Sequence, residues 1–274
     1  MVAQQTLREK IKQAKRVVIK IGTSTLTYDN GRINLTNMDQ LCRSVANLMN
    51  RGKQVVLVSS GAIGVGVGKL RMPEKPASIR RKQAIAAVGQ CELMNMYSRL
   101  MSDYSYTVGQ VLLTKDDIDD EETRTNIVNT FEALLEMEII PVVNENDTVS
   151  TREIYHNGTF GDNDTLSAIV AVLLDADLLI MLTDIDGLYD CDPRLNPEAV
   201  FVSYVPEITD EIEASAGAAG SKRGTGGMRS KILAARIATV AGLDAIIANG
   251  SVPHIIDDIA DGKNKGTMFA AIGE

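Results

Sequence analysis

The sequence predicts an α/β fold: a mostly parallel sheet with helices on both faces. Short β-branched runs alternate along the chain with longer stretches whose apolar residues recur at helical spacing. The runs RVVIKI, QVVLVS, IIPVVN and LLIMLT are apolar at nearly every position, not at every second one. That is the pattern of strands buried on both sides, which parallel sheets require. Neither an internal repeat nor a compositional shift divides the chain, so one domain is expected over residues 1–274.

Each element follows in order. Arg16–Ile21 is expected as the first strand and Thr36–Met49 as a helix capped at Thr36, with Met38, Leu41, Val45, Leu48 and Met49 on one face. Gln54–Ser59 is the second strand, and a helix opens within the SGAIGVGVG that follows it. A helix is expected over Ser78–Leu100, a strand over Tyr106–Leu113, a helix over Glu121–Met137 and a strand over Ile139–Asn144. Val149–Phe160 carries an Asn157-Gly158 turn signal and reads as a hairpin. Asp164–Leu174 reads as a helix, Leu178–Thr183 as a strand, Arg229–Ala241 as a helix and Ala245–Ala248 as a short strand. Ser215–Gly227, SAGAAGSKRGTGG, has the composition of a mobile loop.

Composition removes whole classes of function. Hydrophobic residues make up 45% and charged residues 23%, ordinary for a globular chain. No apolar run reaches the ~18 to 20 residues that span a bilayer. The polar start, MVAQQTLREKIKQAKR, lacks the apolar centre of a signal peptide, so a cytoplasmic location is expected. The net charge of −8 argues against a partner that is nucleic acid or an anionic membrane. Aromatic residues are 4% and tryptophan is absent, which leaves little for stacking bases. Cys42, Cys91 and Cys191 are too scattered for a disulfide framework or a zinc spacing. His156 and His254 are the two histidines, and no serine sits in a nucleophile elbow. The chemistry to look for is built from lysine, aspartate and glycine.

Three glycine turns suit phosphate. In VIKIGTS, Lys20 interrupts a buried strand just before Gly22. A buried ammonium needs an anionic partner, unless its stem packs and its amine reaches water. At the C-terminal end of a parallel strand it points to the crevice where such sheets bind ligands. Ser59-Ser60-Gly61 ends a strand and starts a helix, where exposed amides favour an anion, though a tight turn also needs small residues. Neither a Walker A loop nor a dinucleotide fingerprint is present there. The third turn, GTGGMRSK, leads glycines into a helix carrying Lys231. Its amides can wrap a polyphosphate while the lysine neutralises the terminal group.

Acidic clusters stand beside these turns. Asn144-Glu145-Asn146-Asp147 follows the strand IIPVV, Gly161-Asp162-Asn163-Asp164 precedes a helix, and Thr183-Asp184-Ile185-Asp186 follows LLIML. Carboxylates there can hold Mg²⁺, orient lysines or recognise an amine; capping and turn formation are the plainer roles. Phosphoryl transfer needs charge neutralised and reactants aligned more than it needs a base. Lys20 and Lys231 can bracket such a transition state. A carboxylate acceptor is already ionised, which suits a chain nearly without histidine.

The stretches VVIKIGTSTLT, VSSGAIGVGVGKL, KQAIAAVGQCELM, GQVLLT, IIPVVNENDTVS, FGDNDTLSAIVA, LLTDIDGLYDCDPR and GTGGMRSKILAA resemble the amino-acid kinase family. The resemblance is strongest to the branch that phosphorylates glutamate for proline biosynthesis. It implies a three-layer α/β/α sandwich, ATP with Mg²⁺, and conversion of L-glutamate to L-glutamyl 5-phosphate. It implies catalytic roles for Lys20, Lys231, Asp162 and Asp164, with Asp162 and Asp164 also organising Mg²⁺. Ser60, Gly61, Asp147 and Asn163 become the amino-acid site. Lys20, Gly22, Thr183, Asp184 and the run Thr225, Gly226, Gly227, Met228, Arg229, Ser230, Lys231 become the nucleotide site. The N-terminal half would hold the amino acid and phosphoryl group, the C-terminal half the nucleotide. A homo-oligomer and proline as feedback inhibitor are also implied. The sequence given ends at Glu274 without the C-terminal PUA domain that many such enzymes carry. Lys222 and Arg223, ahead of the last glycines, read as solubilising residues. Kinases of acetylglutamate, aspartate or carbamate, and a non-catalytic amino-acid or nucleotide sensor, are the competing readings.

Overall fold

The computed structural model describes residues 2–28, 31–150, 162–216 and 227–272. The N-terminal part runs α1 (Val2–Gln13), β1 (Arg16–Ile21), α2 (Thr23–Leu26), α3 (Leu35–Asn50), β2 (Gln54–Ser59), α4 (Ala62–Lys69) and α5 (Ile79–Asp103). Then come β3 (Val108–Leu113), α6 (Lys115–Asp119), α7 (Glu121–Glu136), β4 (Ile140–Glu145), α8 (Asn163–Leu173) and β5 (Leu178–Thr183). The remainder is β6 (Leu188–Tyr189), β7 (Phe201–Val202), β8 (Tyr204–Val205), α9 (Asp210–Ala216), α10 (Met228–Val240), β9 (Asp244–Asn249), α11 (Ile255–Ala260) and β10 (Thr267–Phe269).

Among the described residues, eight strands form one sheet in the order β3-β4-β2-β1-β5-β9-β10-β8. From β3 to β9 every pairing is parallel; β10 runs antiparallel to β9. The chain moves outward from β1 in one direction through β2, and it crosses to the other side of β1 at β5. That makes β1/β5 the switch point, where the carboxyl ends of such strands leave a crevice for ligands.

Side-chain alternation explains the layers. On β1, Val17, Ile19 and Ile21 join the core beneath α3, α5 and α11, with Met38, Leu41, Leu93, Tyr97 and Ile259 opposite. Val18 faces the other core, with Phe131 of α7, Ala168 and Val170 of α8, and Ile232 and Ala235 of α10. Lys20 shares the face of Val18. The lysine therefore projects into the layer of α8 and α10, the two helices that bring it partners.

The expected strands and long helices are present, with ends that shift by at most three residues. Three differences have clear causes. The helix expected from Thr36 begins at Leu35, because Asn34 caps it by accepting from Asn37 N at 3.2 Å. The strand expected from Tyr106 starts at Val108, because α5 runs on to Asp103 and closes through Ser105 at φ +66°. Elements α1, α11 and β10 have no counterpart among the elements expected from sequence: α11 has six residues, and β10 has three and is defined by its partners on either side. The hairpin expected at Val149–Phe160 lies outside the described residues from Thr151 onward, and most of Ser215–Gly227, with Lys222, Arg223, Thr225 and Gly226, also lies outside them.

Candidate active site

The site is assembled around one carboxylate. Asp164 sits in the first turn of α8, fully buried, and Lys20 Nζ of β1 lies 2.5 Å from its Oδ1. Lys231, in the first turn of α10, places Nζ 3.0 Å from the other oxygen, Oδ2. Ser230 Oγ lies 2.7 Å from the same Oδ2 and 2.8 Å from Gly227 O. Both ammonium groups are buried beside it. Burial opposes ionisation of Asp164, but the charges of Lys20 and Lys231 and their hydrogen bonds outweigh it, holding this carboxyl well below the usual range. Burial likewise works against the Lys231 ammonium, and Asp164 and Asp162 overcome it, so its pKa is raised.

Asp162 is the N-cap of α8, its Oδ1 accepting from Asp164 N at 3.1 Å. The capping role foreseen for it is real, and it leaves the second oxygen over. Asp162 Oδ2 is buried and has no hydrogen-bond partner among the described residues. Burial first, then the negative charge of Asp164, raise the Asp162 pKa, against Lys20 and Ser230. Asn163, next in the helix, also carries a buried Oδ1 without a partner among the described residues. The acidic pair thus divides: Asp164 has both oxygens on ammonium groups, whereas Asp162 has one oxygen without a hydrogen-bond partner among the described residues.

The glycine turns surround this cluster. Gly22 follows β1, and a Cβ built there would stand 3.7 Å from Lys20 Nζ. The Ser60–Gly61 turn is next to it: Ser60 N donates to Ile21 O at 3.0 Å, and a Cβ on Gly61 would lie 3.6 Å from Thr23. Gly61 has φ +108°, a conformation that favours glycine, and starts α4 without a side-chain cap. Gly227 starts α10 equally without a side-chain cap, so the first amides of that helix are available to an anion. Met228 and Arg229 follow in the same turn. Thr183 ends β5, and its Oγ1 donates to Asp184 Oδ1 at 3.2 Å. Asp184 contributes to raising Lys231, so the two face one another electrostatically.

Asp147 stands further off, in the turn after β4, where its N–H donates to Glu145 O at 2.9 Å. Because β4 pairs with β2, this turn and the Ser60–Gly61 turn emerge from neighbouring strand ends. The structure therefore brings Lys20, Lys231, Asp162, Asp164 and Ser230 into one network and sets the other described candidates along the same rim. Sequence reasoning assigned nothing to Gln90 or to its buried partner Asn144, whose Nδ2 donates to Gln90 Oε1 at 2.9 Å. The signal available was two amide side chains within otherwise apolar patterns. Among the described residues no group of three or more His, Cys, Asp and Glu is arranged to hold a metal alone, and no helix is long and apolar enough to cross a membrane.

Comparison with known proteins finds likeness in sequence and in fold. The profile of the amino acid kinase family covers residues 15–249. The curated glutamate 5-kinase of Clostridium perfringens (strain 13 / Type A) is 56% identical over 265 residues, covering 97% of this chain and 98% of the relative. The glutamate 5-kinase of Listeria innocua is 54% identical, covering 97% and 96%, and that of Enterococcus faecalis is 52% identical, covering 96% and 97%. Among solved structures, UMP kinase from Ureaplasma parvum superposes with a TM-score of 0.63 at 18% identity, over 94% of this chain and 99% of that one. UMP kinase from Bacillus anthracis gives 0.62 at 15% identity, over 95% and 97%. These two likenesses bear on the fold alone.

Proposed function

The chain belongs to the amino acid kinase family, and from that premise we infer that it transfers the γ-phosphoryl group of ATP to the side-chain carboxylate of L-glutamate. The product is L-glutamyl 5-phosphate, which opens proline biosynthesis. The single observation that supports this site for it is the pair of lysines, from β1 and α10, closed on one carboxylate at the sheet's switch point.

The chemistry follows from that arrangement. A glutamate side-chain oxygen attacks the γ-phosphorus, and the bond to the β–γ bridging oxygen breaks, with its electron pair leaving on ADP. The attacking carboxylate is already ionised, so no general base is required. Charge collects on the oxygens of the transferring group, and stabilising it is the enzyme's main task. Lys20 and Lys231 supply that stabilisation from two sides. Asp164 keeps two like charges together before substrate arrives and fixes where they point. Ser60, Gly61, Asp147 and Asn163 hold the amino acid, with Asp147 paired to its α-ammonium. Gly22 lets the phosphoryl group approach Lys20. Thr183, Asp184 and the segment from Thr225 to Lys231 hold the nucleotide, its phosphates lying against the uncapped amides of α10.

A divalent cation fits the unpartnered oxygen of Asp162, whose ionised form is otherwise disfavoured by burial and by Asp164. Mg²⁺ commonly takes one or two carboxylates and completes its shell with phosphate oxygens and water. When bound, it would neutralise phosphate charge during the transfer. Asp162 would be its protein ligand, and Asp164, with both oxygens engaged, would orient the lysines instead. Two further proposals rest on the family resemblance alone, a homo-oligomer and inhibition by proline; a third, a cytoplasmic location, rests on the polar start of the sequence.

The test is ADP release with ATP, Mg²⁺ and L-glutamate, together with hydroxylamine trapping of the acyl phosphate. Glutamate-dependent hydroxamate is expected, with little from N-acetylglutamate, aspartate or carbamate. Ligand-induced stabilisation of well-folded protein with no glutamate-dependent product would instead make the chain a sensor.

A further inference from the structure

A chain of buried amide hydrogen bonds leads from the end of β4 to α5. The backbone N–H of Glu145 can only donate, and it donates to Asn144 Oδ1 at 2.9 Å. That fixes the Asn144 amide, whose Nδ2 donates to Gln90 Oε1, also at 2.9 Å. The Gln90 amide is fixed in turn. Its acceptor is in use, and the end left over is Nε2, which can only donate. This nitrogen is buried with no partner among the described residues, on a residue 8% exposed. Buried donors without an acceptor are rare in folded proteins and call for an explanation.

The location of Gln90 supplies one. Its neighbour Gly89 abuts the first turns of α4: a Cβ there would lie 1.7 Å from Ala62 O and 2.6 Å from Gly66 N. Gln90 therefore stands close to the Ser60–Gly61 turn that starts α4. Asn144 ties it to the turn bearing Asp147. Two helical turns earlier on α5, Gln83 Nε2 donates to Ser150 O at 3.5 Å, so α5 runs along this whole segment. Nε2, unpartnered among the described residues, thus belongs to a residue that Asn144 ties to the segment bearing Asp147 and whose neighbour Gly89 packs on the start of α4.

Glutamate presents three charged groups. Its side-chain carboxylate has to face the γ-phosphate, and Asp147 accounts for its α-ammonium. The α-carboxylate remains, and an N–H group with no acceptor of its own matches a carboxylate and not an ammonium. We propose that Gln90 is a specificity-determining residue whose Nε2 donates to the α-carboxylate of the amino-acid substrate, with Asn144 holding the amide in that orientation. The proposal rests on the glutamate reading above and deepens it. A site built to hydrogen-bond a substrate group discriminates strongly against analogues that cannot accept the bond.

The experiment compares L-glutamate with its α-amide, which keeps the ammonium and the reacting carboxylate, in wild type, Gln90→Glu and Gln90→Met. Wild type is expected to prefer L-glutamate at least tenfold in kcat/KM. Gln90→Glu retains an oxygen acceptor for Asn144 and loses the donor. It is expected to raise KM for glutamate about tenfold or more, with KM for ATP within about twofold, and to shrink the preference over the α-amide by a similar factor. Gln90→Met, of similar volume, is expected to shift KM for glutamate in the same direction. A residue that merely braces Asn144 would leave the Gln90→Glu preference at the wild-type value, and that result overturns the proposal. So does a wild type that uses both compounds equally, a comparison that needs no variant to fold. Failure of wild type to form hydroxamate from glutamate would strike the proposed function instead, so the two failures are distinct.

Discussion

Lys20 and Lys231 share Asp164 without competing for it: one ammonium takes Oδ1 at 2.5 Å and the other Oδ2 at 3.0 Å. Two like charges from distant parts of the chain are thereby held on one buried group. Arriving phosphates can take over part of that role, because they too are anions facing both lysines. Under the proposed function, the carboxylate would hold the two lysines together in the resting protein and aim them during transfer.

Removing either lysine should therefore damage chemistry more than binding. Lys20→Ala and Lys231→Ala are each expected to lower kcat by about 10²–10³, the usual cost of losing one preorganised electrostatic group. Asp164→Asn should do the same and also lower stability by about 3–5 kcal/mol, since it leaves two buried ammonium groups without their counter-charge. Steady-state kinetics and urea unfolding measure the two effects. Near-normal turnover in both lysine variants would remove them from the mechanism.

The pH dependence of stability has a definite sign. A carboxyl held below its ordinary pKa stabilises the fold above the unfolded value and loses that contribution as pH falls through the folded one. For Asp164 the loss begins below about pH 4, the ordinary range of an aspartate, and continues to strongly acid solution. Lys231, raised in the fold, contributes below its ordinary pKa of about 10.4 and loses that only as pH rises past the folded value. The stability gap between wild type and Asp164→Asn should thus be flat from about pH 5 to 9 and narrow on going down to pH 3. Urea midpoints across that range test it; a gap unchanged at pH 3 would contradict the assignment.

Lys20 shows how far sequence carried and where it stopped. Its place in an otherwise apolar strand was legible, as were Asp164 before a helical run and Lys231 just inside another. Legible too were the long strands and helices, because burial on both faces forces continuous apolar runs. The ion triad itself was not, since which face of β1 carries Lys20, and which helices cover that face, depends on strand order and crossover direction. The split between Asp162 and Asp164 was hidden for a related reason: both stand at the start of the same helix, and only the cap geometry distinguishes them. The pairing of Gln90 with Asn144 was hidden because two amides that stand out in apolar patterns still do not show, in one dimension, that they meet.

Asp162 should trade stability for metal. Its ionised form is disfavoured in the fold by burial and by Asp164, which is the reverse of the usual carboxylate case, so this group costs stability as pH rises through its folded pKa. Asp162→Asn keeps a capable N-cap and removes that charge. The ligand-free variant is expected to melt no lower than wild type at pH 7, while kcat falls about 10²-fold or more and the Mg²⁺ concentration for half-activity rises. Thermal melts alone and Mg²⁺ titrations of activity report these separately. A variant with wild-type Mg²⁺ dependence would move the cation site elsewhere.

Asp147 comes from the turn after β4, whereas Lys20 and Lys231 come from β1 and α10, and under the proposed function it meets the amino acid and not the phosphate, so its removal should spare the phosphoryl chemistry. Loss of the countercharge to a substrate ammonium weakens amino-acid binding directly. Asp147→Asn is expected to raise KM for glutamate by about tenfold or more and leave KM for ATP nearly unchanged, measured with each substrate varied in turn. Equal effects on both substrates would detach this residue from the amino-acid site.

Gly61 gives a purely backbone test of the same site. Its φ of +108° is reached easily by glycine and only with strain by residues bearing a Cβ. Space is not the obstacle, because the nearest atom to a built Cβ is 3.6 Å away. Gly61→Ala should therefore cost about 1–3 kcal/mol through conformation alone, or else shift the turn to relieve it. A shifted turn moves Ser60 and the first amides of α4, so KM for glutamate should rise while the melting temperature falls. Gly52, also at positive φ, has nothing within 4 Å of a built Cβ and lies after α3, far from the strand ends of the site. Gly52→Ala is the matched control: it should lose stability for the same backbone reason and keep the wild-type KM. If both substitutions change KM alike, the Ser60–Gly61 turn has no special part in holding the amino acid.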